Sequence, residues 1–212
     1  MNNQQIRILI DNVFERNDEY SLNQEFEEKF CDKFGVNYAI TINSATSGLH
    51  AALAAVGVGP GDEVIQPATT VVMDSYATLY LGATPVFVDI DPDTWNIDVK
   101  EIEKNITSKT KAIIVVSLYG LPVDIDPIME LARNHNIKVI DDSAETVLGW
   151  YKDKVAGTLA DIGVYSFEKT KHFTTGSEGG MVVTNSEELA QNVRKFGGIG
   201  YKNLTATAGR TS

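Results

Sequence analysis

The feature that most constrains this chain is a repeated switch of hydrophobic period. Short apolar, β-branched runs at 38–42, 63–67, 84–90, 111–117, 137–142, 161–167 and 179–185 alternate with stretches of helical spacing. A strand reads as an unbroken apolar run when both faces of its sheet are covered, and a parallel neighbour is reached through a helical crossover. The alternation therefore predicts an α/β fold, a mostly parallel mixed sheet with helices on both faces. KAIIVVS (111–117) is the most apolar run and is expected at the centre of the sheet.

Helices are expected over 3–15, 22–34, 45–57, 71–82, 98–105, 127–135 and 186–196. Asp98 and Glu101 form a capping-box signature, in which the Asp oxygen accepts a free helix N–H and the Glu reaches back to the cap. Asp124 or Asp126 is the expected cap of the helix at 127–135. Gly57, Gly59 and Gly61 in GVGPG lie between a helix and a strand, the reverse of a dinucleotide fingerprint, and so read as a C-cap and turn.

Composition excludes several classes. Eighteen basic against twenty-nine acidic residues give a net charge of −11, which repels nucleic-acid backbones. No apolar run approaches the roughly 18 residues needed to span a bilayer, and the N-terminus has no signal-peptide pattern, so no membrane partner and a cytoplasmic location are expected. The single cysteine, Cys31, excludes an internal disulfide framework and reads as a packed or half-exposed thiol. His50, His135 and His172 lie far apart without partners at ligand spacing, which gives no support to a metal site. His50, on a helix of small residues, reads as a core or interface residue.

Four features carry chemistry, each at the end of an expected strand, where ligands gather in open α/β sheets. Asn43-Ser44-Ala45-Thr46-Ser47-Gly48 joins a strand to a helix, and such a loop is either a plain N-cap or a phosphate cradle at the helix N-terminus. Asp141 and Asp142 end a strand and point to opposite faces, so the two carboxylates cannot share one task. Either could cap a helix or hold a heteroaromatic nitrogen protonated. The segment 165–172 offers two lysines, Lys169 and Lys171, and the glycine-rich run 176–180 follows it. A lysine between a strand end and a turn, partly desolvated, is available as a nucleophile. Phosphate loop, strand-end carboxylate and downstream lysine, in that order, are the parts that hold pyridoxal 5′-phosphate.

From about Phe26 to Phe196 the chain resembles the DegT-type (DegT/DnrJ/StrS) sugar aminotransferases of fold type I, through NSATSGLHAAL, GVGPGDEVIQP, LGATPVFVDIDPDTWNID, the stretch from KAIIVVSLYG to DDSAET, and SFEKTKHFTTGSEGGMVVTN. The resemblance implies a three-layer α/β/α large domain over 35–200, preceded by a helical segment (1–34), with 201–212 as the start of a missing C-terminal part. It implies Lys171 as the Schiff-base residue with Lys169 its neighbour, Asp142 on the pyridinium nitrogen, Glu145 near the ring hydroxyl, and Ser166, Ala45 and Thr46 on the phosphate. Val71 stands where many members place an aromatic ring over the cofactor, and Ser177 is an extra residue that displaces Glu178 from the common G-E-G-G. The implied reaction is amino transfer, with glutamate as donor, to a nucleotide-linked keto sugar in a homodimer. A non-catalytic relic of the fold and a sugar-nucleotide dehydratase are the alternatives, and Lys171, where dehydratases carry histidine, argues against the second.

Overall fold

The computed structural model describes residues 22–197, together with Gln4 and Arg7. The helix expected over 3–15 and the segment 201–212 therefore fall outside the described residues, apart from those two positions. The elements are α1 (Leu22–Phe34), β1 (Tyr38–Ile42), α2 (Ala45–Ala55), β2 (Glu63–Pro67), α3 (Val72–Tyr80), β3 (Thr84–Val88), α4 (Val99–Asn105), β4 (Thr110–Val116), α5 (Ile125–His135), β5 (Lys138–Asp142), β6 (Trp150–Tyr151), β7 (Lys154–Val155), β8 (Ile162–Ser166), β9 (Gly180–Thr184) and α6 (Glu187–Gly197).

Seven strands form one sheet in the order β1-β9-β8-β5-β4-β2-β3. Every pairing from β8 to β3 is parallel, and β9 lies antiparallel between β8 and β1. The short β6 and β7 pair only with each other. β4 is interior and buried but sits one place from the middle, which β5 occupies, because strand order is set by crossovers and not by apolarity.

Alternation along the strands divides the core. Ile114, Val116, Ile140, Val164 and Val182 face α2, α3 and α6, whereas Ile113, Val115 and Val139 face α4 and α5. Towards the β1 edge that second face is covered by α1, whose Phe30 and Phe34 pack on Ala39, Tyr165, Met181 and Val183. The result is three layers. Glu27 of α1 ties the edge down, since its carboxylate accepts from the Thr41 backbone N–H at 2.7 Å and from Arg194 at 2.6 Å.

Turn chemistry at GVGPG follows expectation: the Gly57 N–H donates to Ala54 O, and Gly57 and Gly61 adopt φ of +82° and +92°. Two cap expectations are borne out in part and corrected in part. Asp98 accepts from the Lys100 N–H at 2.8 Å, but its own N–H donates to Asp89 O, so Glu101 has no donor to reach back to and pairs with Lys104 instead. α5 begins at Ile125, so Asp124 does occupy its N-cap position, but neither aspartate side chain makes a capping hydrogen bond. Asp124 accepts from the Tyr151 hydroxyl, and Asp126, inside the first turn, pairs with Lys152, so the β6–β7 hairpin takes both carboxylates.

Candidate active site

The parallel register brings the ends of β5, β8 and β1 to one edge. Asp142, the last residue of β5, lies beside Val164, and Ser166 ends β8 two residues further on. Ser166 is paired with Gly180, which is paired on its other side with Ile42 at the end of β1. The loop from Asn43 thus starts one strand away from Ser166.

The N-cap reading of that loop is borne out. Ser44 is the N-cap of α2 and its hydroxyl accepts from the Ser47 N–H at 3.2 Å. Ala45 and Thr46 fill the first helical positions, whose N–H groups have no intrahelical acceptor. Those two donors and the positive end of the α2 dipole make this a loop that could hold an anion. Gly180 makes room for it, because a Cβ there would stand 2.8 Å from the Ser44 carbonyl carbon and 2.9 Å from the Ala45 nitrogen. Gly180→Ala is expected to shift this loop and cost about 1–3 kcal/mol, read as a lower urea midpoint together with weaker pyridoxal-phosphate binding. Normal binding in that variant would remove the loop from the site.

The two aspartates at the end of β5 part as alternation requires. Asp141 accepts from Ser143 Oγ and from the Gly157 N–H, each at 2.9 Å, and burial pushes it up to about 6. Gly157 is needed there: its φ is +87°, and a Cβ would lie 2.4 Å from the Tyr165 hydroxyl. Asp142 turns the other way. It accepts from the Ala144 N–H at 3.0 Å and is close enough to Lys171 and Glu145 to feel both charges.

The structure separates the two lysines. Lys169 is exposed, whereas Lys171 is half-buried and its Nζ donates to Glu145 Oε1 at 3.2 Å. An ion pair, rather than an apolar enclosure, holds the amine. Glu145 Oε2 also accepts from the Tyr119 N–H at 3.4 Å. Val71 is half-buried at the cap position of α3. Glu178 is exposed, and it is its backbone carbonyl that accepts from the Thr175 hydroxyl at 3.0 Å.

One residue of the site was missed. Asp74, fully buried in the first turn of α3, lies within hydrogen-bonding reach of Asp142. Its signal was present in the sequence: Asp74, Ala77 and Thr78 share the i, i+3, i+4 spacing of a buried helix face. A carboxylate on that face asks for a partner.

The seven-stranded, mostly parallel sheet and its helical layers are those of the fold type I aminotransferase class. The chain belongs to the DegT/DnrJ/EryC1/StrS aminotransferase family, whose profile matches residues 3–211. It is 49% identical over 176 residues to the GDP-perosamine synthase of Caulobacter vibrioides, covering 83% of this chain and 47% of that protein. With the GDP-perosamine synthase of Escherichia coli O157:H7 it is 49% identical over 177 residues, covering 84% and 48%. The solved structure of ntda from Bacillus subtilis with bound cofactor PMP matches at a TM-score of 0.86 and 30% identity, over 100% of this chain and 49% of that one. The chain spans about half the length of the curated relatives it matches.

Members of this family bind pyridoxal phosphate. The residues present here fit that group: two N–H donors at a helix start for a phosphate, a buried carboxylate for a ring nitrogen, and an amine whose charge reaches that carboxylate. Among the described residues no helix is long and apolar enough to cross a membrane.

Proposed function

We propose that this chain is the cofactor-binding part of a pyridoxal-phosphate-dependent aminotransferase that moves an amino group from glutamate to a nucleotide-linked keto sugar. The observation that carries the reading is the convergence of Lys171, Glu145 and Asp142 at the sheet edge that also presents the α2 N-terminus. When bound, the cofactor supplies an electron sink that makes a proton on the donor's α-carbon acidic.

The chain's own groups do the rest. The Ala45 and Thr46 N–H groups and the Ser166 hydroxyl would hold the phosphate, and Val71 would cover the ring without an aromatic stack, which forgoes roughly 0.5–1.5 kcal/mol. Asp142 would accept a hydrogen bond from the ring nitrogen and keep it protonated. Lys171 Nζ is the amine that would hold the cofactor and that would take the donor's α-proton and return it, as general base and acid. Glu145 orients that amine.

A homodimer in the cytoplasm is part of the same proposal. α3 leaves Val72, Met73, Tyr76, Leu79 and Tyr80 between 40% and 64% exposed, an apolar stripe beside the site. His50 packs edge-on against Tyr80 at its border, and burial lowers its pKa. A second copy of the chain would cover that stripe.

The reaction is tested by incubating the chain with pyridoxal phosphate, glutamate and a GDP-linked keto sugar, the nucleotide suggested by the names of the two relatives. Formation of 2-oxoglutarate that depends on the sugar is expected. Loss of water from the sugar without nitrogen transfer would identify a dehydratase, and no turnover a non-catalytic protein.

A further inference from the structure

Asp74 and Asp142 are two carboxyl groups, 0% and 2% exposed, that reach each other from α3 and the end of β5. Asp74 Oδ2 accepts from the Thr70 hydroxyl, and Asp74 Oδ1 is buried with no hydrogen-bond donor among the described residues. Asp142 has the Ala144 N–H and the nearby Lys171 in its favour, with Glu145 and Asp141 as the opposing charges. Among the described residues no cation acts on Asp74 to offset Asp142. Two buried carboxylates in contact cannot both ionise, so one proton is shared between them. The better-supported charge sits on Asp142, which leaves the proton on Asp74. Burial and the Asp142 charge both push Asp74 well above the usual carboxylate range.

We propose that Asp74 is the positioning residue of Asp142: its protonated carboxyl donates to the Asp142 carboxylate and fixes it, charged, in the orientation that receives a ring N–H. This rests on the assignment of Asp142 to the pyridinium nitrogen. The Ala144 N–H and the Asp74 O–H then occupy two of the carboxylate's acceptor sites and leave another for the cofactor. Because the pair already holds its own proton, Asp142 has less tendency to take one from the ring.

The test begins without cofactor. Urea unfolding of the 212-residue chain and of Asp74→Asn, which keeps an N–H donor but cannot titrate, is followed from pH 4 to 8. Folded wild type holds a proton on Asp74 that the unfolded chain releases above about pH 4. Its stability must therefore fall, relative to the variant, as pH rises through that window and up to the folded pKa. The ratio of the two unfolding constants is expected to change by up to about tenfold per pH unit, while Asp141 titrates in both proteins and cancels. A ratio independent of pH overturns the shared proton.

Pyridoxal-phosphate titration then reads the positioning. Asp74→Asn is expected to bind within about threefold of wild type, and Asp74→Ala, which lacks a donor, roughly tenfold more weakly. Equal affinity of all three overturns the positioning role. If wild type itself fails to bind, the cofactor assignment falls, and the pH result still stands for or against the proton pair.

Discussion

Lys171→Ala is expected to abolish the near-visible absorbance of the lysine-bound cofactor and to lower any transfer activity by at least roughly 10³-fold, because in the proposed function one side chain supplies both the covalent attachment and the proton transfer. Lys169→Ala is expected to leave both intact, since that side chain is exposed and Lys171 is the one aimed at Glu145, 3.2 Å away. The fold should survive the change. The side chains of the Lys171–Glu145 pair are 22% and 26% exposed, and a pair this open contributes about 1 kcal/mol or less. An unchanged urea midpoint together with a lost band is the predicted pattern. A band retained by Lys171→Ala and lost by Lys169→Ala would reverse the assignment.

Asp142→Ala is expected to weaken pyridoxal-phosphate binding by roughly 10- to 150-fold. A charge-assisted hydrogen bond to a buried carboxylate is worth about 1.5–3 kcal/mol, and alanine leaves the ring nitrogen without an anionic acceptor. Turnover should fall further than affinity, because an unprotonated ring is a poorer electron sink. Asp141→Ala, on the opposite face, is expected to act through stability instead: it strips the Ser143 hydroxyl and the Gly157 N–H of a buried acceptor and leaves the cofactor site alone. Absorbance titration beside urea unfolding separates the two aspartates. Equal loss of affinity in both variants would mean that alternation along β5 does not sort their roles.

The periods of the sequence carried much of this. Strands buried on both faces, such as KAIIVVS, announced a covered parallel sheet, and the structure places Asp142, Ser166 and the Asn43–Thr46 loop at one sheet edge, as strand-end residues should be. What stayed hidden depends on the third dimension. Lys169 and Lys171 lie in one loop with no period to tell them apart, so composition and spacing left them equal until the resemblance and then the ion pair to Glu145 distinguished them. Asp74 stayed hidden because VVMDSYA shows a helix and, by resemblance, only Val71 as a cofactor contact, and its partner lies on a strand with β3 and β4 between the two in sequence. The β6–β7 hairpin has two residues per strand, too short for alternation to register. Its hydroxyl and amine nonetheless decide where Asp124 and Asp126 point.

The most direct measurement is chemical. The chain is saturated with pyridoxal phosphate, reduced with borohydride so that an imine to a lysine becomes a stable amine, digested, and the labelled peptide is identified by mass. The label is predicted on Lys171 alone, in the peptide that follows Ser166-Phe167-Glu168. Label on Lys169, scattered over surface lysines, or absent would contradict the assignment of this sheet edge as the cofactor site.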